Sequence, residues 1–218
     1  MSRINLTETA NALVAMIAAH IHEHCPRTYH GERVPNADEE SITTATNAIF
    51  TVRFPRAEAL TLSPRLDLRN HSPSGMNWGY GGSGPSQLAL AILADFTGSA
   101  DFALRNYQDA KHEFIAGNRQ SLFQLNSDRL MHWVKPRIRR FVEEQLSDIF
   151  EPTGELKPSA SVNVQRDSTI SLFFEAADDG SIELVDYRDT ETVRQRIPNF
   201  VQFFFDEVFL GKSAPTRA

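Results

Sequence analysis

The chain has 218 residues, 41% hydrophobic and 23% charged, with 22 Lys and Arg against 28 Asp and Glu for a formal charge of −6. That balance excludes collagen-like, mucin-like and wholly disordered classes, and a chain of this size buries roughly 70% of its unfolded surface without disulfides. The net negative charge disfavours whole-surface attraction to nucleic acid, and Cys25, the only cysteine, makes neither an internal disulfide nor a Cys-rich zinc site.

No apolar run approaches the roughly 18–20 residues of a membrane-spanning helix. The opening Arg3, Asn5, Thr7 and Glu8 does not read as a signal peptide, so the expectation is a cytoplasmic protein without a membrane partner. Residues 5–24 read as an amphipathic helix, with Leu6, Ala10, Leu13, Ile17 and Ile21 at three- and four-residue steps, Asn5 or Thr7 as cap and Pro26 as stop. Residues 27–46 read as a polar loop holding the acidic patch Asp38-Glu39-Glu40, with a short extended piece at 29–34. Alternation at 49–54 and 59–68 predicts two or three strands between 48 and 70, kept short or at edges by Pro55 and Pro64.

A glycine-bearing loop over 70–85 then gives way to a helix at 86–96 that is apolar on nearly every side, hence central, with Gly98 at its C′ position. A second helix is expected at 101–115, and a third from Ser127 or Asp128 to Phe150, kinked or divided by Pro136. Beyond a linker at 151–157, strands are expected at 162–164 and 169–174, with a turn at Asp178-Asp179-Gly180-Ser181 leading to a strand at 182–187. The last helix, 190–210, carries Phe200, Phe203, Phe204, Phe205 and Phe209, with Pro198 at a kink or a new start. The fold class is therefore α+β: a small antiparallel sheet with packed helices, an N-terminal helix (1–26), a central domain (27–135) and a helix–hairpin–helix extension (136–218).

One stretch concentrates chemistry. If 65–71 is extended, Arg65, Asp67, Arg69 and His71 share a face while Leu66 and Leu68 point to the core. That face is either a solvated surface whose ion pairs contribute under about 1 kcal/mol each, or one wall of an anion site. Trp78, Tyr80, Gly81, Gly82, Ser83 and Gly84 follow at the entry to the apolar helix, with Ser83 or Gly84 as cap and Pro85 in the first turn. Their amides either bind an anion or form a tight turn in which the glycines let Trp78 and Tyr80 pack. The run lacks the Lys of a P-loop and the spacing of a dinucleotide motif.

The pieces Tyr29-His30-Gly31-Glu32-Arg33, Leu62 to Pro73 and Trp78 to Pro85 resemble a family of uncharacterised bacterial domains common in phages, plasmids and other mobile elements. Its motif reads R-L-D-L-x-N-H-S-P followed by W-G-Y-G-G-S-G-P, and the resemblance continues through Phe123-Gln124-Leu125-Asn126 to cover about Tyr29 to Trp133. This sequence departs from it by a longer stretch between Arg33 and Leu62 and by the added 1–26 and 136–218 regions. The resemblance implies a compact α+β domain in a mobile-element setting, and it carries over no catalytic residue.

Elsewhere, His20 and His24 stand at a metal-pair spacing near Cys25 and His30, but imidazoles also suit a helix C-terminus, and no metal site is expected. Lys135, Arg137, Arg139 and Arg140 either contact phosphates or pair with Glu143 and Glu144. The C-terminal phenylalanines are either core or a homodimer surface. No nucleophile signature is present, so no catalytic residue and no cofactor are expected. The leading expectation is a non-enzymatic accessory protein of a phage or mobile element that binds a host or element macromolecule, protein rather than nucleic acid, anti-defence being one form. The alternatives are a small enzyme or ligand-binding protein holding an anionic or phosphate-bearing group at the Gly-rich loop, and a nucleic-acid-binding protein.

Overall fold

The computed structural model describes residues 3–23, 27–34, 46–53, 58–165, 169–187 and 192–212. They form an α+β fold that divides into two compact units, one of residues 20–134 and one of residues 1–19 with 135–218. The division falls within α1 (Leu6–Glu23) and α4 (Ser127–Ile149).

The 20–134 unit holds a four-stranded antiparallel sheet of order β3-β2-β1-β4, built from β1 (Arg27–Val34), β2 (Thr46–Arg53), β3 (Glu58–Thr61) and β4 (Leu122–Asn126). What reads as a loop from Arg27 onward is an eight-residue inner strand, paired with β2 on one side and β4 on the other. Its polar residues mislead because only alternate positions are buried: Arg27, Tyr29 and Gly31 lie inside, while Glu32 is exposed. β4 repeats the pattern, with Phe123 and Leu125 buried between exposed Leu122, Gln124 and Asn126. The acidic patch at 38–40 lies outside the described residues.

Helix α2 (Ser83–Thr97) is the centre of this unit, and almost all of its residues from Gly84 onward are buried. It ends as expected at Gly98, whose φ of 71° is left-handed and whose N–H closes on Ala94 O. Helix α3 (Ala100–Ala110) is capped by Ser99, which accepts from the Phe102 amide, and runs on into a π-helical turn, Lys111–Ile115.

In the other unit, Asn5 supplies the cap of α1 by accepting from the Glu8 amide at 3.2 Å. Pro136 does not divide α4, which is continuous through it. The ring removes one backbone bond on an exposed stretch, while the buried faces on either side, Leu130 and Val134 before it and Ile138 and Phe141 after it, keep the helix in register.

The expected hairpin is a four-stranded antiparallel sheet of order β5-β6-β7-β8: β5 (Ala160–Gln165), β6 (Thr169–Ala176), β7 (Ile182–Tyr187) and β8 (Thr192–Arg196). β8 corrects the helix expected from 190. Its side chains are all exposed, so no apolar period marks it; its ladder with β7 and its charges hold it, Arg194 on Glu175 and Glu183, Arg196 on Asp179 and Glu183. The last helix starts only after Pro198, with Asn199 accepting from the Gln202 amide, as α5 (Phe200–Phe203) and a π-helical turn, Phe204–Phe209. Phe204 and Phe209 are 0% and 1% exposed. Phe200 meets Phe150 at 5.2 Å and Phe203 meets Phe174 at 5.9 Å, so the rings behind the homodimer expectation pack within this unit.

Candidate functional site

The segment from Leu62 to Gly82 is neither strand nor helix, which corrects the extended reading of 65–71. The chain turns at Arg65, whose φ is 55°, and Arg65 O accepts from the amides of Leu68 (3.1 Å) and Arg69 (3.4 Å). Leu66 is 41% exposed rather than directed to the core. Arg65 and Asp67 close on each other, with Nε and Nη2 of the guanidinium 2.8–3.1 Å from the carboxylate oxygens. This pairing holds the Asp67 carboxyl below its ordinary value.

Gln87 holds the loop to α2. Fully buried in the first turns of the helix, it donates through Nε2 to Pro64 O, and its Oε1 accepts from the amides of His71 (2.8 Å) and Ser72 (3.4 Å). The loop backbone has no sheet partner, so this one amide supplies bonds that a strand would have made.

Arg69 and His71 meet at a residue the sequence reading did not single out as functional. Arg69 Nη1 donates to Tyr107 Oη at 3.1 Å, and the His71 ring lies 4.9 Å from the Tyr107 ring. Nε2 of His71 is buried and has no hydrogen-bond partner among the described residues. Burial first, then the charges of Arg69 and Lys111, keep this imidazole below its ordinary value. Lys111 opens the π-helical turn one helical turn beyond Tyr107, and its Nζ reaches Gln108 Oε1 at 2.5 Å.

Gly82 and Gly84 serve close packing. Trp78 is fully buried, donating from Nε1 to Gln120 O at 2.8 Å and lying 5.8 Å from the Phe123 ring. The cap of α2 is Gly82, which corrects the choice of Ser83 or Gly84. A Cβ on Gly82 would lie 2.3 Å from the Tyr80 ring, and one on Gly84 would lie 2.8 Å from Asn77 Cβ and 2.9 Å from Tyr80 Oη. Tyr80 therefore covers the entry to α2, where the anion reading needs room. Gly81 and Ser83 are exposed.

A separate cleft of about 370 Å³ opens beside β4, lined among others by Phe114, Arg119, Gln120, Gln124 and Arg129. Arg129 lies 5.0 Å over the face of Phe114, which in turn packs edge-on to Trp133 at 5.5 Å. Leu122 is 61% exposed on the adjoining strand.

In the 135–140 cluster, Arg139 is occupied by Glu143 (3.3 Å) and by Asn11 Oδ1 (2.9 Å), while Lys135 and Arg140 are exposed. Among the described residues no group of three or more His, Cys, Asp or Glu is placed to hold a metal, and His24 and Cys25 lie outside them. No described helix is long and apolar enough to cross a membrane.

The model of a family of unknown function, DUF6166, matches residues 27–136. No curated protein and no solved structure matches the chain.

Proposed function

From the premise that the chain belongs to the DUF6166 family through residues 27–136, we propose that it is a binding protein: an accessory factor of a phage or other mobile element that works by holding a macromolecular partner, a protein rather than nucleic acid. Interference with a host defence is one form such binding takes.

One observation carries this reading. The cleft beside β4 presents a guanidinium already set over an aromatic face, next to an exposed leucine on a sheet strand. Arginine and aromatic residues supply much of the binding energy at protein interfaces. Arg129 loses little freedom on docking because Phe114 orients it beforehand.

The alternative, an anionic ligand at the glycine loop, has less support in its original form. Arg65 is engaged by Asp67, and Tyr80 packs against Gly82 and Gly84, while Arg69 and His71 meet at Tyr107 instead of facing the glycines.

The test is capture of a partner from host lysate by the immobilised full chain, repeated with Leu122→Asp, Arg129→Glu and Arg140→Glu. The first two should each weaken capture of the same protein at least tenfold, with unchanged melting temperatures, and Arg140→Glu should retain it. Capture that survives both cleft variants refutes the cleft. Release by nuclease, or loss on Arg140→Glu alone, favours the nucleic-acid reading instead.

A further inference from the structure

We propose that Arg69 and His71, which meet at the Tyr107 side chain, form with Lys111, one helical turn beyond Tyr107, a binding site for a single phosphate group. The site is independent of the cleft beside β4.

Lys111 is the first reason. It is only 7% exposed, and among the described residues its ammonium meets one neutral oxygen, that of Gln108, and no carboxylate. Charges this buried are ordinarily paired, because an unpaired one loses hydration without return. Arg69 is likewise without a carboxylate among the described residues and uses one nitrogen on Tyr107 Oη, leaving further N–H groups of its planar fork to donate.

His71 is the second, independent reason. Its Nε2 is shielded from solvent and unpartnered, while its ring is held against Tyr107 at 4.9 Å and its main-chain amide is fixed by Gln87. A ring nitrogen buried without a bond is destabilising, and a ligand oxygen accepting from Nε2–H relieves that cost.

Tyr107 joins two of the groups, its hydroxyl taking Arg69 and its ring His71, and Lys111 stands one helical turn further on, where the helix widens into a π turn. Such π turns recur at functional positions. After burial, the charges of Arg69 and Lys111 both lower the pKa of this imidazole. A tetrahedral oxyanion offers separate oxygens to a guanidinium, an ammonium and an imidazole N–H. The phosphate is either free or the terminal group of a small phosphorylated molecule.

The experiment follows the imidazole resonances of the full chain by NMR during titration with inorganic phosphate and, separately, a nucleoside 5′-monophosphate. The His71 signals should move saturably with an upward shift of that imidazole's pKa, while those of His112 stay still. Arg69→Gln and Lys111→Met should each weaken binding at least about tenfold, the loss of one charge-assisted bond. Tighter binding of the monophosphate identifies a phosphorylated small molecule; equal binding identifies the free ion. Lys111→Met also separates the site from a structural role: it should keep or raise the melting temperature in phosphate-free buffer and abolish the rise that phosphate produces. Leu122→Asp should bind phosphate normally, so failure of the partner reading leaves this one standing. No movement of His71, or an equal movement in the Arg69→Gln/Lys111→Met double variant, overturns the proposal.

Discussion

The hydroxyl of Tyr29 donates to Asp95 Oδ2 at 2.7 Å, tying the inner strand of the 20–134 sheet to its central helix. The same oxygen takes Arg27 Nη1 at 3.0 Å, and that nitrogen also donates to Asp95 O at 2.7 Å. Arg27, 1% exposed, lies 5.4 Å over the Phe96 ring.

This arrangement predicts an ordered pair of losses. Asp95→Ala strands a buried guanidinium and should cost about 3 kcal/mol, the low end for a broken buried pair because the carboxylate is partly exposed. Tyr29→Phe removes one bond and should cost about 1–2 kcal/mol. Burial, then the Asp95 charge, raises the Tyr29 phenol well above its ordinary 10.0. The unfolded phenol ionises first, so its contribution is full below about pH 10 and lost as pH rises through the folded value. Urea midpoints of the three proteins at neutral and alkaline pH check both points, and Tyr29→Phe should fall less steeply on the alkaline side.

The glycines separate packing from anion binding. Gly84→Ala drives a Cβ against Asn77 Cβ, which the backbone holds, and should cost about 2–3 kcal/mol. Gly82→Ala meets the Tyr80 ring, which can swing, and should cost less; in a Tyr80→Ala background its cost should nearly vanish. Gly81→Ala meets nothing within 4 Å and should stay within about 0.5 kcal/mol. Thermal melts of the five variants decide. Equal costs at all three glycines would mean that the run is held by something other than Tyr80 and Asn77.

Legibility in the sequence followed the amount of apolar surface an element buries. Helix α2 was plain because nearly every residue from Leu88 to Ala94 is apolar and buried. Strand β1 was not, since half of it is polar and its Arg27 is buried only because Asp95 lies across from it, a pairing that spans 68 residues. Strand β8 was invisible because it buries nothing. The candidate site is half legible: the sequence puts Arg69 and His71 on one face of a strand, and they do meet, but through Tyr107 at a separation of 38 residues from Arg69. Lys111 carries one signal in the sequence, a lysine on the apolar side of its helix four residues after Tyr107.

Acid should destabilise the fold partly through His71. Burial and the charges of Arg69 and Lys111 lower its pKa from 6.5, so the unfolded chain takes up the proton first. This contribution is full above the unfolded value and lost as pH falls through the folded one. In phosphate-free buffer, the difference in urea midpoint between wild type and His71→Gln should shrink from about pH 7 to about pH 5. Arg69→Gln removes one of the two repelling charges and should flatten that dependence; an unchanged slope would mean that Arg69 contributes nothing to the shift.

The loop that presents Arg69 and His71 depends on Gln87, a fully buried polar side chain just before the apolar run Leu88–Ala94 of α2. Gln87→Met keeps the volume and strands three backbone groups, the carbonyl of Pro64 and the amides of His71 and Ser72. At about 1–3 kcal/mol for each group left unsatisfied, full burial of all three would cost more than the loop can bear, so it should detach locally and let water in. The expected result is therefore a moderate loss of global stability with rapid hydrogen exchange at the His71 and Ser72 amides, while the α2 amides beyond Leu88 stay protected. Gln87→Glu tests the same hinge differently: it keeps the acceptor for the two amides but loses the donor to Pro64, so only the Pro64 side of the loop should loosen. Unchanged exchange at His71 in Gln87→Met would show that the loop is held by its own turn at Arg65, and that the alignment of Arg69 with Tyr107 does not require the helix.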